Sequence, residues 1–487
     1  MYFNSVTFGL FFAVVFVLYW ALRDRRTPRH LLIVTASYVF YGWWDWRFLL
    51  LIFASTLLDF FVGWRLHEET DQGRRKRLLT LSLVGNLGFL AFFKYFNFFY
   101  DSLLMGLGSL GIELGASEQK LLRVALPPGI SFYTFQTLSY SLDIYRRKMQ
   151  PTKSFLDFAY FVAFFPQLVA GPILRASHFL PQMKDRMEVD ARQHADGFYL
   201  ILRGLTKKIC FADILAAQMV DPVFGSALAG AGLPDAAIFS SMDVFLSAAA
   251  FTLMLYMDFS AYSDIAIGAS QLMGFWIPDN FDSPLKAASL RELWRRWHIS
   301  LASWMRDYLY ISLGGNRVTT TRAYFNTIFT MTIMGLWHGA GWNFILLGFI
   351  QGWYLVFERM LNPLLPKYEQ GTLKWWAQRW MGVGITLTFF ILVNIFFRAS
   401  TATQAWDLLF RIFEFDGPLR SQLFDLKLLA LLAAALLLHW LPAGFTYFWR
   451  RAFIHSPVVV KAVVAAALFS AFSLLAGAQQ PFIYFQF

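Results

Sequence analysis

Apolar runs recur along the chain near 31–44, 48–64, 79–100, 155–170, 198–218, 236–257, 262–277, 324–357, 379–397, 427–441 and 459–477, with short polar stretches between them. A helix that crosses a hydrocarbon core takes about 20 residues. Several of these runs are shorter, so some segments must dip into the membrane or break within it. The pattern predicts an all-α polytopic membrane protein with about ten to thirteen membrane segments, some of them re-entrant.

The run from Tyr324 to Phe357 is too long for one straight span. At about 1.5 Å per residue it would extend roughly 50 Å, against a core of about 30 Å. Gly335, Gly339 and Gly341 lie close together within it, around His338. Glycine weakens a helix and lets another backbone approach, so the predicted break falls at His338.

Two more stretches depart from simple spans. Leu126–Arg146 opens with Pro127, Pro128 and Gly129 and carries polar residues through an apolar frame, which predicts a segment lining a cavity. From Leu285 to Tyr310, apolar residues at 290, 293, 294, 297, 301, 304 and 308 step by three or four. That spacing predicts an amphipathic helix lying in the membrane interface, with Arg291, Glu292, Arg295, Arg296 and Asp307 off the stripe. His298 would then flank the stripe, about 80° from its centre.

Composition agrees with a membrane protein: 57% of the 487 residues are hydrophobic and only 15% charged, where a soluble domain carries about 25% charged residues. No hydrophilic block is long enough to be a separate domain, which predicts one membrane domain over 1–487, with its most unusual segments between about 126 and 350 and C-terminal helices and a tail over 379–487. The net charge of +11 is spread over short loops. This is the pattern of membrane topology and not of nucleic-acid binding. Basic clusters at 23–30 and 65–77 lie an even number of spans apart, which places both in the cytoplasm. The first span, about Phe8 to Leu22, has its basic residues after it and reads as uncleaved, with its N-terminus outside. The stretches 146–153 and 175–192 are both basic although one apolar run separates them, so that run is expected to dip in and return. The lone Cys210 excludes an internal disulfide and a cysteine-based zinc site.

Of the eight histidines, His30, His67, His178 and His194 lie in polar loops and read as solvated. His455 lies near a chain turn, and His439 lies beside a span end from which its ring can snorkel. His338 and His298 differ, because each sits among tryptophans at a break in regular structure. An ionisable residue at membrane depth is a functional candidate, and an imidazole serves as a general base near neutral pH. Forty residues apart and without a nearby cysteine, the two make no metal-ligand set, and no metal is expected. Asp258 and Asp264, in MDFSAYSDIAIG, need partners at that depth. They read as structural, with Ser260, Tyr262, Ser263 or a basic residue such as Arg175 available. Arg306 and Asn316, beside the Gly314–Gly315 turn, join Arg295 and Arg296 as candidates to receive a coenzyme's phosphates.

The segments ASYVFYGWW (36–44), FKYFNFF (93–99), LPPGISFYTFQTLSY (126–140), FPQLVAGPILR (165–175), YMDFSAYSDIAIG (256–268), FWIPDNFDSP (275–284), ELWRRWHISLASWMRDYLYISLGGNR (292–317) and GLWHGAGWNFILLG (335–348) occur in order over most of the chain. In these the chain resembles the membrane-bound O-acyltransferase family, in particular its bacterial branch of alginate-type O-acetyltransferases and teichoic acid D-alanyl transfer proteins. The length and the ending FIYFQF look more like the alginate type.

The resemblance implies a helical bundle around a central cavity in the bacterial inner membrane. It implies transfer of acetyl from a cytosolic thioester, acetyl-CoA, across the membrane for O-acetylation of an exopolysaccharide, with no tightly bound cofactor. The family's catalytic histidine falls on His338 and its second polar position on His298, which would position the reactants or stabilise the developing oxyanion. Tyr484, in the tail, is a candidate acyl relay. A separate periplasmic or membrane-anchored acetyltransferase is implied as partner. Two other readings stay open: D-alanyl or other acyl transfer by the same fold, and a transporter or flippase with His338 in its substrate pathway.

Overall fold

The computed structural model describes residues 1–112, 123–225, 236–415, 421, 423–475 and 480–483, and these residues form helices joined by turns and short loops. They divide into two compact units, Met1–Val189 with Met273–Ile277, and Asp190–Leu272 with Pro278–Phe487.

The first unit contains α1 (Val6–Ala21), α2 (Arg26–Gly42), α3 (Leu49–Glu68), α4 (Gln72–Leu90), α5 (Phe96–Ser109), α6 (Ile130–Tyr145) and α7 (Phe155–Ala163). Two polar residues of the 126–146 stretch face neighbouring helices and not a cavity. Thr137 and Ser141 join Ser55, Asp59, Ser82 and Asn86 in a buried network between α3, α4 and α6, with Ser141 2.5 Å from the Asp59 carboxylate. The stretch is a regular helix over Ile130–Tyr145, started by Pro-Pro-Gly. Its hydroxyls serve as polar glue between helices, where an unsatisfied group would be costly.

The apolar run 155–170 does double back. Arg26 binds the Asp157 carboxylate at 2.8 Å, where the run begins, and the Asp185 carboxylate at 2.8 Å, where the chain has returned. One arginine thus marks both ends of the excursion. At about 1.5 Å per residue, α7 reaches roughly half the thickness of a hydrocarbon core. His30 is not solvated as its loop suggested: it is buried, with Nδ1 2.8 Å from Asp157 Oδ1. The buried Arg75 ties the end of α6 to the α3–α4 turn by donating to the carbonyls of Glu69 (3.2 Å) and Tyr145 (2.7 Å). The basic stretch after Tyr145 therefore lies at the same end as the 65–77 loop.

The second unit contains α8 (Ala191–Lys207), α9 (Ser241–Leu272), α10 (Leu290–Arg296), α11 (Ile299–Trp304), α12 (Thr320–His338), α13 (Trp342–Leu361), α14 (Leu373–Arg398), α15 (Ala402–Phe413), α16 (Leu426–Trp440), α17 (Ala443–His455) and α18 (Val458–Leu475). The 32-residue α9 is almost entirely buried and forms the axis of this unit. Its buried residues lie on all sides, as in a helix surrounded by others. The run 324–357 breaks where predicted, with α12 ending on His338 and α13 starting at Trp342. The two helices pack so closely that a Cβ on Gly335 would lie 2.2 Å from the Phe344 carbonyl oxygen, and one on Gly348 2.2 Å from that of Met331. Both contacts are to backbone, which cannot swing aside. Gly348→Ala should accordingly cost about 1–3 kcal/mol, seen as a lower melting temperature in detergent, and an unchanged melt would show that the hairpin tolerates separation.

Among the described residues six helices are long and apolar enough to cross a membrane: Trp46–Glu68, Gln72–Ser109, Ser241–Leu272, Trp342–Leu364, Leu373–Arg398 and Val458–Leu475. The pair α16–α17, bent by 87°, makes a seventh if taken as one broken span, and α1 is a shorter apolar helix. Full-length spans are thus fewer than the ten to thirteen segments predicted. Runs such as 155–170 are apolar because they are buried in protein, and apolarity alone does not separate that from lipid exposure.

Candidate active site

The stretch 285–310 is not one helix. Its stripe is real, since Leu290, Leu293, Trp297, Leu301, Trp304 and Tyr308 are all buried. But α10 stops at Arg296, and the chain turns at His298, which has φ +43°, before α11 begins. A residue other than glycine in the left-handed region is strained and persists only where its surroundings hold it. Here Asn280 holds it. The Asn280 carbonyl oxygen accepts the Ile299 N–H at 3.0 Å. Its side-chain oxygen accepts the Ser300 N–H at 3.2 Å and the Ser300 hydroxyl at 2.8 Å, and lies 3.1 Å from His298 Nδ1. The turn puts the imidazole fully inside the protein, not at the flank of an interfacial helix, with its ring edge-on to Phe259 at 4.6 Å.

His338 reaches the same place from the end of α12. Trp337 packs on both imidazoles, 5.8 Å from His298 and 5.1 Å from His338, centroid to centroid. Phe397 of α14 closes the other side of His338 at 5.2 Å. The α13 end of the break is fixed by Asn343, whose amide donates to the carbonyls of Phe396 (3.1 Å) and Ala399 (2.8 Å). The two histidines singled out in the sequence are therefore brought together in an aromatic, water-poor setting. Burial first, and second a positive charge on His338 when that ring holds a proton, push the His298 imidazole well below its usual pKa, which favours its neutral form.

Asp258 and Asp264 are paired, as expected, but with α8 and the π-helical segment Lys208–Ala212 that continues it. Asp264 accepts from Arg203 Nε and from Lys207 Nζ, each at 2.8 Å. Lys208 Nζ sits 2.8 Å from both Asp258 and Asp213. The second oxygen of Asp258 accepts the backbone N–H of Ile483 at 2.9 Å. This bond anchors the tail segment Gln480–Ile483 against α9, where the Phe482 ring packs on Tyr262 (4.4 Å) and Phe259 (5.6 Å). Since Phe259 also touches His298, the tail is docked one ring away from the histidine pair. Tyr484, the candidate relay, lies outside the described residues.

Three of the four candidate phosphate ligands are engaged by other side chains. Arg295 is exposed. Arg296 pairs with Glu292 (3.0 Å) and Asp282 (3.3 Å), and Arg306 with Asp307 (2.7 Å). Asn316 accepts from Tyr310 (2.7 Å) and Arg359 (3.0 Å). His439 does not snorkel. It is buried on Tyr256, 4.5 Å between centroids, and its Nε2 accepts the Leu285 N–H at 3.2 Å.

Sequence reasoning missed Asn280 and the lysine and arginine partners. Asn280 was visible as an uncharged polar residue in the apolar, proline-containing FWIPDNF loop. Arg203 and Lys207 were visible as an i, i+4 pair on one helix face.

The described residues form a helical protein with six helices long and apolar enough to cross a membrane, and it holds two buried imidazoles against one tryptophan, side chains of a type that can carry protons. Residues 72–400 match the membrane-bound O-acyltransferase family, MBOAT, and the chain belongs to that family. It is an O-acyltransferase. It is 39% identical to the probable alginate O-acetylase of Pseudomonas aeruginosa, over 96% of this chain and 85% of that one. It is 36% identical to the probable alginate O-acetylase of Azotobacter vinelandii over the whole of both chains. It is also 34% identical to the peptidoglycan O-acetyltransferase of Helicobacter pylori, over 80% of this chain and 74% of that one.

Proposed function

We propose that this enzyme takes acetyl from acetyl-CoA on the cytoplasmic side of the bacterial inner membrane and passes it across for O-acetylation of an extracytoplasmic polysaccharide. The observation that carries this reading is the histidine pair around Trp337, in a chain whose relatives are named for O-acetylation. His338 takes the proton of the incoming hydroxyl, whose oxygen attacks the thioester carbonyl. The C–S bond then breaks, and His338 returns the proton to the departing thiolate. His298 positions the reactants. Exposed Arg295 is the candidate contact for the coenzyme's phosphates, with Arg296, Arg306 and Asn316 available if their present partners exchange. A separate periplasmic or membrane-anchored acetyltransferase completes delivery to the polymer.

Tyr484 is the proposed first acceptor. The docking of Ile483 on Asp258 and of Phe482 beside Phe259 supports this, because Tyr484 follows directly in sequence. Its phenol would attack the acetyl carbonyl and hold the group as an aryl ester, which a second hydroxyl then relieves. Membranes given labelled acetyl-CoA should yield a labelled C-terminal peptide, and Tyr484→Phe should abolish that label. A pure transporter would leave no covalent adduct anywhere, and label in polymer without any on the peptide would remove the relay while keeping the transferase.

A further inference from the structure

We infer that Asn280 is a positioning residue that fixes His298 as the Nδ1–H tautomer, so that His298 serves the reaction centre as a hydrogen-bond acceptor through Nε2. The inference rests on the acetyl-transfer reading for what His298 serves, but the tautomer follows from hydrogen-bond geometry alone.

A backbone N–H can only donate, so the Asn280 side-chain atom that meets the Ser300 N–H at 3.2 Å is the amide oxygen and not the nitrogen. The same oxygen lies 3.1 Å from His298 Nδ1. An oxygen with no proton requires a donor opposite it, so Nδ1 carries the hydrogen. In a neutral imidazole the other nitrogen is then a lone pair. Complete burial in an aromatic surround opposes a second proton, and so does the charge His338 acquires during turnover.

This decides between the two roles the resemblance leaves to His298. Stabilising an oxyanion needs a donor aimed at the oxygen, and Nε2 has no hydrogen to give. Whatever meets Nε2 must itself carry an O–H or N–H. The proposed cycle creates one such cation nearby, the His338 imidazolium formed when the hydroxyl proton is taken. A neutral lone pair stabilises that cation, whereas a second N–H would repel it. Asn280 therefore sets the tautomer of His298, and the neutral lone pair of His298 favours a positive charge in its neighbourhood such as the one His338 acquires. The strained φ of His298 and the two further bonds to Ser300 and Ile299 show why a single asparagine is placed to do this: it holds both the turn and the proton.

The test is the tautomer itself, read by 15N spectra of histidine-labelled protein in detergent, with the His298 signals assigned as those lost in His298→Asn. The expected spectrum at neutral pH has a protonated Nδ1 and an unprotonated Nε2. Asn280→Asp keeps the acceptor oxygen and should keep this signature, with transfer within about tenfold of wild type. Asn280→Leu removes the acceptor and should lose both the signature and about a hundredfold in kcat, the scale of a misdirected proton-transfer group, with the KM for acetyl-CoA within about twofold. A wild-type spectrum with the proton on Nε2, or a folded Asn280→Leu protein that transfers acetyl normally, would overturn the inference. Should Asn280→Leu not fold, the wild-type and Asn280→Asp spectra still decide. The spectra do not depend on acetyl transfer, so failure of the transferase reading would leave them unchanged and be recognised separately.

Discussion

His338→Ala should lower acetyl transfer by at least about a hundredfold while leaving the protein folded and inserted, because removing a general base forfeits a factor of about 10²–10⁴. Truncation at this position is tolerable. His338 is the last residue of α12, so its side chain does not support a continuing helix, and the chain break is held independently by Asn343 on the carbonyls of Phe396 and Ala399. The loss should appear in kcat with little change in the KM for acetyl-CoA, since the imidazole acts on the transition state and not on the bound coenzyme. Labelled acetyl-CoA with purified, detergent-melted protein checks both halves. A folded variant with normal transfer would remove His338 from the mechanism, and a variant that binds donor weakly but turns over normally would reassign it to donor binding.

The break at His338 was legible because it follows from length. No single helix fits a largely apolar run of 34 residues into the core, and the three glycines leave one place for it to end. The return of the 155–170 run was legible for a similar reason: basic stretches on both sides of a single apolar run conflict with a simple crossing. The turn at His298 was not legible. Local periodicity over 290–308 favours an unbroken helix, and the bonds that override it come from Asn280, 18 residues earlier. The side chains around α6 show the same limit. Thr137 and Ser141 read as cavity-lining because nothing local reveals that Asp59, Ser82 and Asn86 lie opposite them. A pattern reports which residues must be buried or satisfied, and only the packing reports by what.

The same distinction bears on Asp258, whose need for a partner was plain from sequence while its double duty was not. Lys208→Met should destabilise the protein by about 3–5 kcal/mol, because it removes the cation of a buried cluster and leaves Asp213 and Asp258 uncompensated. Both carboxylates are 2.8 Å from Lys208 Nζ, and Lys208 and Asp258 are buried, so water does not replace the lost charge. The consequence should extend to the tail. Ile483 donates to the other oxygen of Asp258, and a carboxylate released from Lys208 is free to move away from that N–H. Transfer should therefore fall further than the loss of folded protein explains. Adding Asp258→Asn to Lys208→Met should recover part of the melting temperature, since the amide removes one of the two unpaired charges while keeping an oxygen for Ile483. Thermal melts of the single and double variants, set beside their transfer rates per folded molecule, separate the two effects. A Lys208→Met protein that melts like wild type would show that the cluster is not what holds α9 to the helical segment that continues α8, and one that melts low but transfers normally per folded molecule would show that the tail does not depend on it.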